Sequence, residues 1–329
     1  MQAIEIGDLV VAQEAIRGIA RRTPLVRSSN LSERCRGEVY LKLEMLQETG
    51  AFKVRGAANR LLQMTPDERA RGAIAFSTGN HGRGLAWVGR HLNMRVVICV
   101  PESVLPHKVA AIRALGAEVR VVGADQDRAE LEAMQMAEAE NLCWVSPFDD
   151  PWVIAGQGTI GLEIHEDLPQ VDVVMAPLSG GGLLGGIALA MKSARRPVHT
   201  VGVSMERGPA MVASLAAGRP VPVYEEATLA DSLVGGIGLD NHHTFDLVRR
   251  VVDETILVSE VEIAQAMVHA FKEEKVVAEG GGAVALAALL AGKINVEGKC
   301  VACVLSGGNV DLGKMAELLA KGAKAGETV

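Results

Sequence analysis

The chain has 329 residues, 49% of them hydrophobic, and a formal net charge of −7. This length suits one large or two ordinary domains, and an acidic balance without a long Lys/Arg cluster argues against nucleic acid as a partner. The N-terminus is acidic where a signal peptide is basic, and no apolar run approaches the ~18 residues of a membrane span, so we expect a cytoplasmic protein with no membrane partner.

Short β-branched runs alternate with helical stretches, which is the pattern of parallel sheets covered by helices. In the first half, strands and helices are predicted in turn at 73–77, 81–92, 95–100, 107–115, 118–122 and 127–140. In the second half, strands are predicted at 171–176, 199–204 and 299–305, with a long polar segment near 218–244. We expect an α/β protein with two doubly wound, mostly parallel sheet domains.

The order of these elements also predicts the domain boundaries. Residues 73–143 form a compact strand and helix unit, which we assign to a small domain. The large domain is then discontinuous and consists of residues 1–72 and 144–321. The last residues, 322–329, are small and polar, and we expect a frayed tail that begins near Lys321.

The five cysteines are an odd and sparse count for a disulfide framework. Cys300 and Cys303 form a Cys-x-x-Cys pair, but they lie in the predicted buried strand at 299–305. An odd spacing places them on opposite faces of that strand. We expect reduced thiols without a redox or zinc role.

In doubly wound folds, ligands bind beyond the carboxyl ends of the strands. One candidate for such a site is Lys53, in Ala51-Phe-Lys-Val-Arg-Gly56 at the start of a predicted helix. A partly desolvated lysine near a helix N-terminus favours the neutral amine that Schiff-base chemistry needs. The alternative is a surface lysine whose apolar stem alone is covered.

A second candidate is Ser77-Thr-Gly-Asn-His81, directly after a strand and at the start of a helix. Successive backbone N–H groups at a helix N-terminus can bind a carboxylate or phosphate, and Asn80 adds an amide. The alternative is an ordinary turn with an Asx or Ser cap.

A third candidate is Ser179-Gly-Gly-Gly-Leu-Leu-Gly-Gly186, between a strand and an apolar helix. Three consecutive glycines let the backbone approach an anion, and the helix dipole favours a phosphate there. The same segment satisfies Gly-x-Gly-x-x-Gly at Gly180, Gly182 and Gly185, with Glu206 about twenty residues later. A dinucleotide site, and therefore a nicotinamide-dependent dehydrogenase, is the alternative.

The turn Ser306-Gly-Gly-Asn309 follows the last predicted strand. Its hydroxyl could cap a helix or hydrogen-bond a ligand heteroatom. Together, an amine, a carboxylate loop and a phosphate cradle are the parts of a pyridoxal-phosphate site.

The order of these motifs resembles the fold-type II pyridoxal-phosphate enzymes, which include threonine and serine dehydratases, serine racemase and β-hydroxyaspartate dehydratase. The resemblance covers nearly the whole chain, and its motifs are 43–57, 77–81, 154–159, 179–183 and 305–309.

This resemblance implies that Lys53 holds the cofactor covalently, that Phe52 packs against its ring and that Asn80 binds the ring hydroxyl. Ser306 would face the pyridine nitrogen, and Thr78 would lie near the ring face opposite Lys53. The cofactor phosphate would be bound by Ser179, Gly180, Gly181, Gly182 and Leu183. The substrate carboxylate would be bound by Ser77, Thr78, Gly79, Asn80 and His81.

The resemblance further implies β-elimination of water from a β-hydroxy amino acid, to give a 2-oxo acid and ammonia, in a homodimer. A neutral Ser306 hydroxyl does not hold the pyridine nitrogen protonated, which favours elimination over a long-lived carbanion. An amino-acid racemase is the alternative on the same fold, with Thr78 as its second acid/base.

Two segments point to a subgroup and to metal dependence. Residues 203–208 and 230–241 are most similar to hydroxyectoine utilisation dehydratases, which implies a larger hydroxylated diamino acid as substrate. Metal-dependent relatives carry a glutamate and an aspartate where this chain has Ser204 and Ala210, and we therefore expect no metal site.

Overall fold

In the computed structural model, which describes residues 3–124 and 126–326, the strands form two sheets. The strands are β1 Leu25–Arg27, β2 Glu38–Leu43, β3 Ala73–Phe76, β4 Val96–Val100, β5 Glu118–Val121, β6 Cys143–Trp144, β7 Val173–Pro177, β8 His199–Met205, β9 Glu254–Val258 and β10 Cys300–Leu305. The six-stranded sheet has the order β1-β2-β10-β7-β8-β9, and the four-stranded sheet has the order β5-β4-β3-β6. All pairs are parallel except β1 with β2.

Helices cover both faces of each sheet. They are α1 Ile6–Ala15, α2 Ser29–Cys35, α3 Lys53–Leu62, α4 Pro66–Arg71, α5 Asn80–His91, α6 Pro106–Ala114, α7 Gln126–Ala139, α8 Pro151–Asp167, α9 Gly182–Lys192, α10 Ala210–Ala217, α11 Thr244–Val251, α12 Glu260–Lys272, α13 Gly280–Leu290 and α14 Leu312–Gly326. This arrangement confirms the predicted fold class.

The large sheet is buried on both faces, because its central strands are continuous apolar runs. In β10, Val301, Cys303 and Leu305 pack in the core that α12 and α13 cover, while Cys300, Ala302 and Val304 pack in the core that α8 and α9 cover. Cys300 and Cys303 therefore lie on opposite faces, as predicted. Burial raises the pKa of Cys300 to about 11 and that of Cys303 further still, and all five cysteines are free.

The small sheet has a core of its own on each face. Ile74, Val97 and Cys99 pack against α7, and the opposite face packs against α3, α5 and α6. Helix α3 contributes Val54 and Leu61 to this second core. The predicted boundary at residue 73 assigns α3 to the large domain, although its apolar side packs on the small sheet.

Some elements lie outside the predicted set. Strands β1, β2, β6 and β9 are not among the predicted strands. Strand β2 lacks a continuous hydrophobic pattern because it contains Lys42. The segment 218–244 is irregular, as expected, apart from a 3₁₀ turn at Asp231–Leu233. Helix α14 extends to Gly326 where a frayed end was expected from Lys321, and residues 327–329 of the predicted tail lie outside the described residues. Among the described residues, no helix has the length and apolar character needed to cross a bilayer.

Candidate active site

All four candidate motifs follow the carboxyl ends of strands and meet between the two sheets. The Lys53 motif follows β2, the Ser77 loop follows β3, the glycine loop follows β7 and the Ser306 turn follows β10. Because β2, β10 and β7 are parallel neighbours and β3 is a central strand of the small sheet, their carboxyl ends open onto one cleft. The fold therefore brings together residues that are up to about 250 positions apart in the chain.

Lys53 is the first residue of α3, as predicted. Its amine donates a hydrogen bond to the carbonyl oxygen of Pro147 at 2.6 Å, and it lies 5.1 Å from the centroid of the Phe52 ring. Burial lowers the pKa of Lys53 to about 8, because the charged form loses its hydration. A substantial fraction of neutral amine is therefore present near pH 8, as nucleophilic and general-base chemistry require.

A buried ion-pair network connects α3 to Glu44, which follows β2, and to Glu163 of α8. Arg55, 1% exposed, donates to both oxygens of Glu44 and of Glu163 at 2.6–2.9 Å. Lys42, fully buried, donates to Glu163 at 2.5 Å and to the carbonyl of Thr23 at 2.7 Å. Arg55 holds the pKa of Glu44 below its ordinary value, and the two carboxylates raise the pKa of Arg55. Each buried charge is thus compensated by an opposite one.

The Ser306 turn is tied directly to the Lys53 motif. The backbone N–H of Phe52 donates to the carbonyl of Ser306 at 3.0 Å, and Ala51 pairs with Gly307 in an isolated antiparallel bridge. Ser306 itself is buried, and its hydroxyl has no hydrogen-bond partner among the described residues. This hydroxyl is consequently free to meet a ligand atom in the cleft.

Asn80, the first residue of α5, faces the same turn. Its Nδ2 donates to Glu279 at 2.6 Å, and its Oδ1 accepts from Nδ2 of Asn309 at 2.7 Å. Glu279 also accepts from the backbone N–H of Asn309 at 3.1 Å. The side chains of Asn80, Glu279 and Asn309 therefore form one network between the two sheets.

The Ser77 loop presents N–H groups to the cleft. The Ser77 hydroxyl accepts from the N–H groups of Gly79 and Gly82 at 3.2 and 3.0 Å and so caps the start of α5. The N–H groups of Thr78, Asn80 and His81 have no acceptor among the described residues. They fit a carboxylate.

The His81 imidazole does not take part in that loop as a cation. It is buried, its Nε2 lies 3.1 Å from the carbonyl of Val145, and its Nδ1 has no partner within the described chain. Burial lowers the pKa of His81 to about 3. The ring is therefore neutral at physiological pH, and only the backbone of His81 is suited to an anion.

The glycine loop has the backbone form of an anion cradle. Gly181 has a φ of +89° and precedes α9, which starts at Gly182 and so directs its dipole at the loop. A methyl group at Gly180 would overlap the Phe148 ring, and one at Gly182 would lie 2.9 Å from the Phe148 carbonyl. The Ser179 hydroxyl donates to the carbonyl of Leu233 at 2.9 Å and fixes the start of the loop.

The sequence interpretation missed two parts of this site. The segment around Pro147 and Phe148 contacts both the Lys53 amine and the glycine loop, and Glu279 contacts Asn80. A signal existed for Glu279, since it is a lone acid between Ala278 and three glycines. For Pro147 the contact is made by the backbone carbonyl, and a backbone contact cannot be predicted from the type of residue.

These residues fit pyridoxal phosphate: a neutral amine, an N–H cradle for a dianion and a free hydroxyl for a ring atom lie around one cleft. A divalent-cation site has less support. Ser204 and Ala210 are buried, and Glu206 pairs with Lys293 at 3.9 Å. The described part of the chain contains no group of three or more His, Cys, Asp or Glu side chains placed to hold a metal ion.

Comparison with known proteins gives consistent results. A family model described as pyridoxal-phosphate dependent enzyme matches residues 16–307. L-threonine ammonia-lyase of Thermotoga maritima is 44% identical over 99% of this chain and 81% of its own length. The catabolic L-threonine dehydratase TdcB of Escherichia coli K12 is 39% identical over 96% of each chain. The structure of maize serine racemase superposes with a TM-score of 0.90 at 29% identity, over 99% of this chain and 100% of that one.

Proposed function

This chain belongs to the pyridoxal-phosphate dependent enzymes, and we propose that it is a dehydratase that eliminates water from a β-hydroxy amino acid, giving a 2-oxo acid and ammonia. Its sequence is that of a threonine/serine dehydratase-like lyase, and the cofactor of the family is pyridoxal phosphate. The dinucleotide alternative at Gly180–Gly185 is therefore dropped. The observation that carries the proposal is the Lys53 amine, which hydrogen-bonds to the Pro147 carbonyl next to the glycine loop and whose pKa is lowered by burial to about 8.

When bound, the cofactor supplies an electron sink for the electron pair released at the substrate α carbon. Lys53 would hold it covalently, and its amine, whose pKa burial lowers to about 8, would act as the general base for the α proton. The N–H groups of Thr78, Asn80 and His81 would bind the substrate carboxylate, and those of Gly180 to Leu183 would bind the cofactor phosphate. Ser306 would offer the ring nitrogen of the cofactor a neutral hydroxyl, which does not hold that nitrogen protonated.

We infer further that the substrate belongs to hydroxyectoine breakdown, as a larger hydroxylated diamino acid or its acylated form. The resemblance of residues 203–208 and 230–241 to that subgroup supports this assignment. Comparison of kcat/KM for L-threonine, L-serine and the hydroxylated diamino acid tests it. A preference for L-threonine would contradict the subgroup while leaving the dehydratase proposal intact.

Racemisation is a second candidate, favoured by the similarity to maize serine racemase and by the Thr78 hydroxyl in the carboxylate loop. Elimination releases ammonia and a 2-oxo acid, whereas racemisation releases neither. Chiral analysis of the amino acid that remains, beside an ammonia assay, separates the two. We also propose a cytoplasmic homodimer, for which sedimentation analysis of the purified protein measures the subunit number.

The decisive test is Lys53→Ala. We expect complete loss of turnover and of the covalent cofactor adduct with the fold retained, because only an amine can form that bond. Mass spectrometry after borohydride reduction locates the adduct in the wild-type protein. Lys192→Ala, which removes an exposed lysine paired with Asp253, is the matched control and should retain both. An adduct on any lysine other than Lys53 would overturn the assignment.

A further inference from the structure

Glu279 is a buried carboxylate in the cleft that the proposed chemistry leaves without a role. It is 5% exposed and lies at the start of α13, between Asn80 and the turn that carries Ser306. No Lys, Arg or His of the described residues forms an ion pair with it. Its contacts are instead neutral donors, which are the side chains of Asn80 and Ser232 and the backbone N–H of Asn309.

These contacts fix the orientation of the Asn80 amide. One oxygen of Glu279 accepts from the Asn309 N–H, and the other faces Asn80. Because a carboxylate oxygen is an acceptor, the Asn80 atom that faces it is the donor Nδ2. On the other side, Nδ2 of Asn309 donates to Oδ1 of Asn80, which excludes a flipped amide. The Asn80 Nδ2 carries two hydrogens, and one of them is still available to the cleft.

The groups around Glu279 act on its pKa in opposite directions. Burial raises the pKa of Glu279, and Asp231, from the 3₁₀ turn, raises it further, while the donors Asn80, Ser232 and Asn309 favour the charged carboxylate. Lys108 of α6 is paired with Asp231 at 3.5 Å and so neutralises that second acid. Glu279 is therefore a buried acidic group beside Asn80 that accepts hydrogen bonds from neutral donors and forms no ion pair among the described residues.

We propose that Glu279 is a positioning residue, which holds the second Nδ2 hydrogen of Asn80 toward the ring hydroxyl of the cofactor and adds negative charge at that edge of the ring. This inference rests on the proposed function, since Asn80 meets the ring only in a pyridoxal-phosphate site. A negative charge near the imine between Lys53 and the cofactor favours its protonated form, which absorbs at longer wavelength than the neutral form. The effect of Glu279 is thus visible in the absorption spectrum of the resting protein, before any substrate is added.

The experiment is a pH titration of the cofactor band in the wild-type protein and in Glu279→Gln. Glutamine keeps the size, but it replaces one acceptor by an N–H₂ group that would face either Asn80 or the Asn309 N–H. We expect the pKa of the band to fall by about one unit, as the loss of one charge at cleft distances implies. We expect the dissociation constant for pyridoxal phosphate, measured by reconstitution of the cofactor-free protein, to rise about tenfold, because a misoriented amide loses a charge-assisted hydrogen bond.

Glu274→Gln is the matched control. Glu274 is a partly buried glutamate that accepts a hydrogen bond from Ser28 and pairs with His269, and it forms no hydrogen bond with Asn80. Its titration should be that of the wild type. Glu279→Asp keeps the charge at shorter reach and should restore most of the band pKa, which a general loss of packing would not do. It also replaces Glu279→Gln as the test if the glutamine variant does not fold.

The outcomes separate this inference from the proposed function. If the wild-type protein shows no band that borohydride abolishes, the proposed function fails, and the role of Glu279 falls with it. If the wild-type band is present and both Glu279 variants titrate and bind the cofactor as the wild type does, the dehydratase proposal stands and the role of Glu279 is overturned.

Discussion

Two groups of buried ionisable side chains lie near the Lys53 helix, and they are built differently. Behind α3, Arg55 and Lys42 compensate Glu44 and Glu163, and every oxygen of the two carboxylates is bonded to a cation. In the cleft, Glu279 has neutral donors only. The first group is electrostatically complete without a ligand. The second contains a buried carboxyl group with no cationic partner among the described residues, which a ligand in the cleft could satisfy.

The difference separates a structural part of the molecule from a functional one. A buried ion pair gains little over well-packed apolar residues, but the loss of one partner leaves a charge uncompensated. The network behind α3 therefore fixes one position of the helix, and with it the position of Lys53. The unbalanced polar groups of the cleft cost stability in the free protein and are kept where a ligand is bound.

The largest effect is expected from Arg55→Met. This change leaves Glu44 without a bonded cation and Glu163 with Lys42 alone, and it should lower the free energy of unfolding by about 3–5 kcal/mol. Urea denaturation at pH 7 measures it. Arg22→Met is the control: Arg22 pairs with Glu166 and Asp167 at the surface, where a pair contributes about 0–1 kcal/mol. Equal losses in the two variants would contradict the comparison.

The opposite pKa shifts of Glu44 and Glu279 predict contributions to stability that change in opposite directions with pH. The pKa of Glu44 is lowered from 4.5 in the folded protein, so its contribution is present above pH 4.5 and is lost as pH falls through the folded pKa. The pKa of Glu279 is raised, so its electrostatic cost is present at neutral pH and disappears as pH falls through the raised value toward 4.5.

The measurement is the free energy of unfolding against pH for the wild type, Glu44→Gln and Glu279→Gln. The deficit of Glu44→Gln relative to wild type should shrink in acid. The corresponding difference for Glu279→Gln should move the other way, in favour of the wild type as pH falls. Parallel curves for the two variants would show that the two carboxylates are equivalent.

The sequence predicts most of the fold because the central strands are uninterrupted apolar runs, as in Cys300–Leu305. It does not predict β2, since Lys42 interrupts the run and is tolerated only because Glu163, far along the chain, compensates it. Local hydrophobic pattern carries no information about such a distant partner.

In the candidate site, too, local sequence signals predict some residues but not their distant partners. Lys53 and the glycine loop have local signatures, namely a lysine at a helix start and three consecutive glycines, and the structure brings both to the cleft. The partner of Asn80 has none, because Glu279 lies 199 residues away and meets it only where the two sheets face each other. The roles of all these residues toward a cofactor stay predictions, including those of Lys53, Asn80 and the glycine loop.

The smallest effect is expected from removal of divalent cations. A cation is the alternative means of balancing Glu279, but magnesium and calcium bind to several oxygen ligands, usually with more than one carboxylate. Ser204 and Ala210 supply no carboxylate, and Glu206 is half exposed and paired with Lys293. We therefore expect the dehydratase rate and the cofactor band to be unchanged after exhaustive EDTA treatment. A loss of dehydratase rate that added Mg²⁺ reverses would contradict this expectation and would indicate a metal site in the protein.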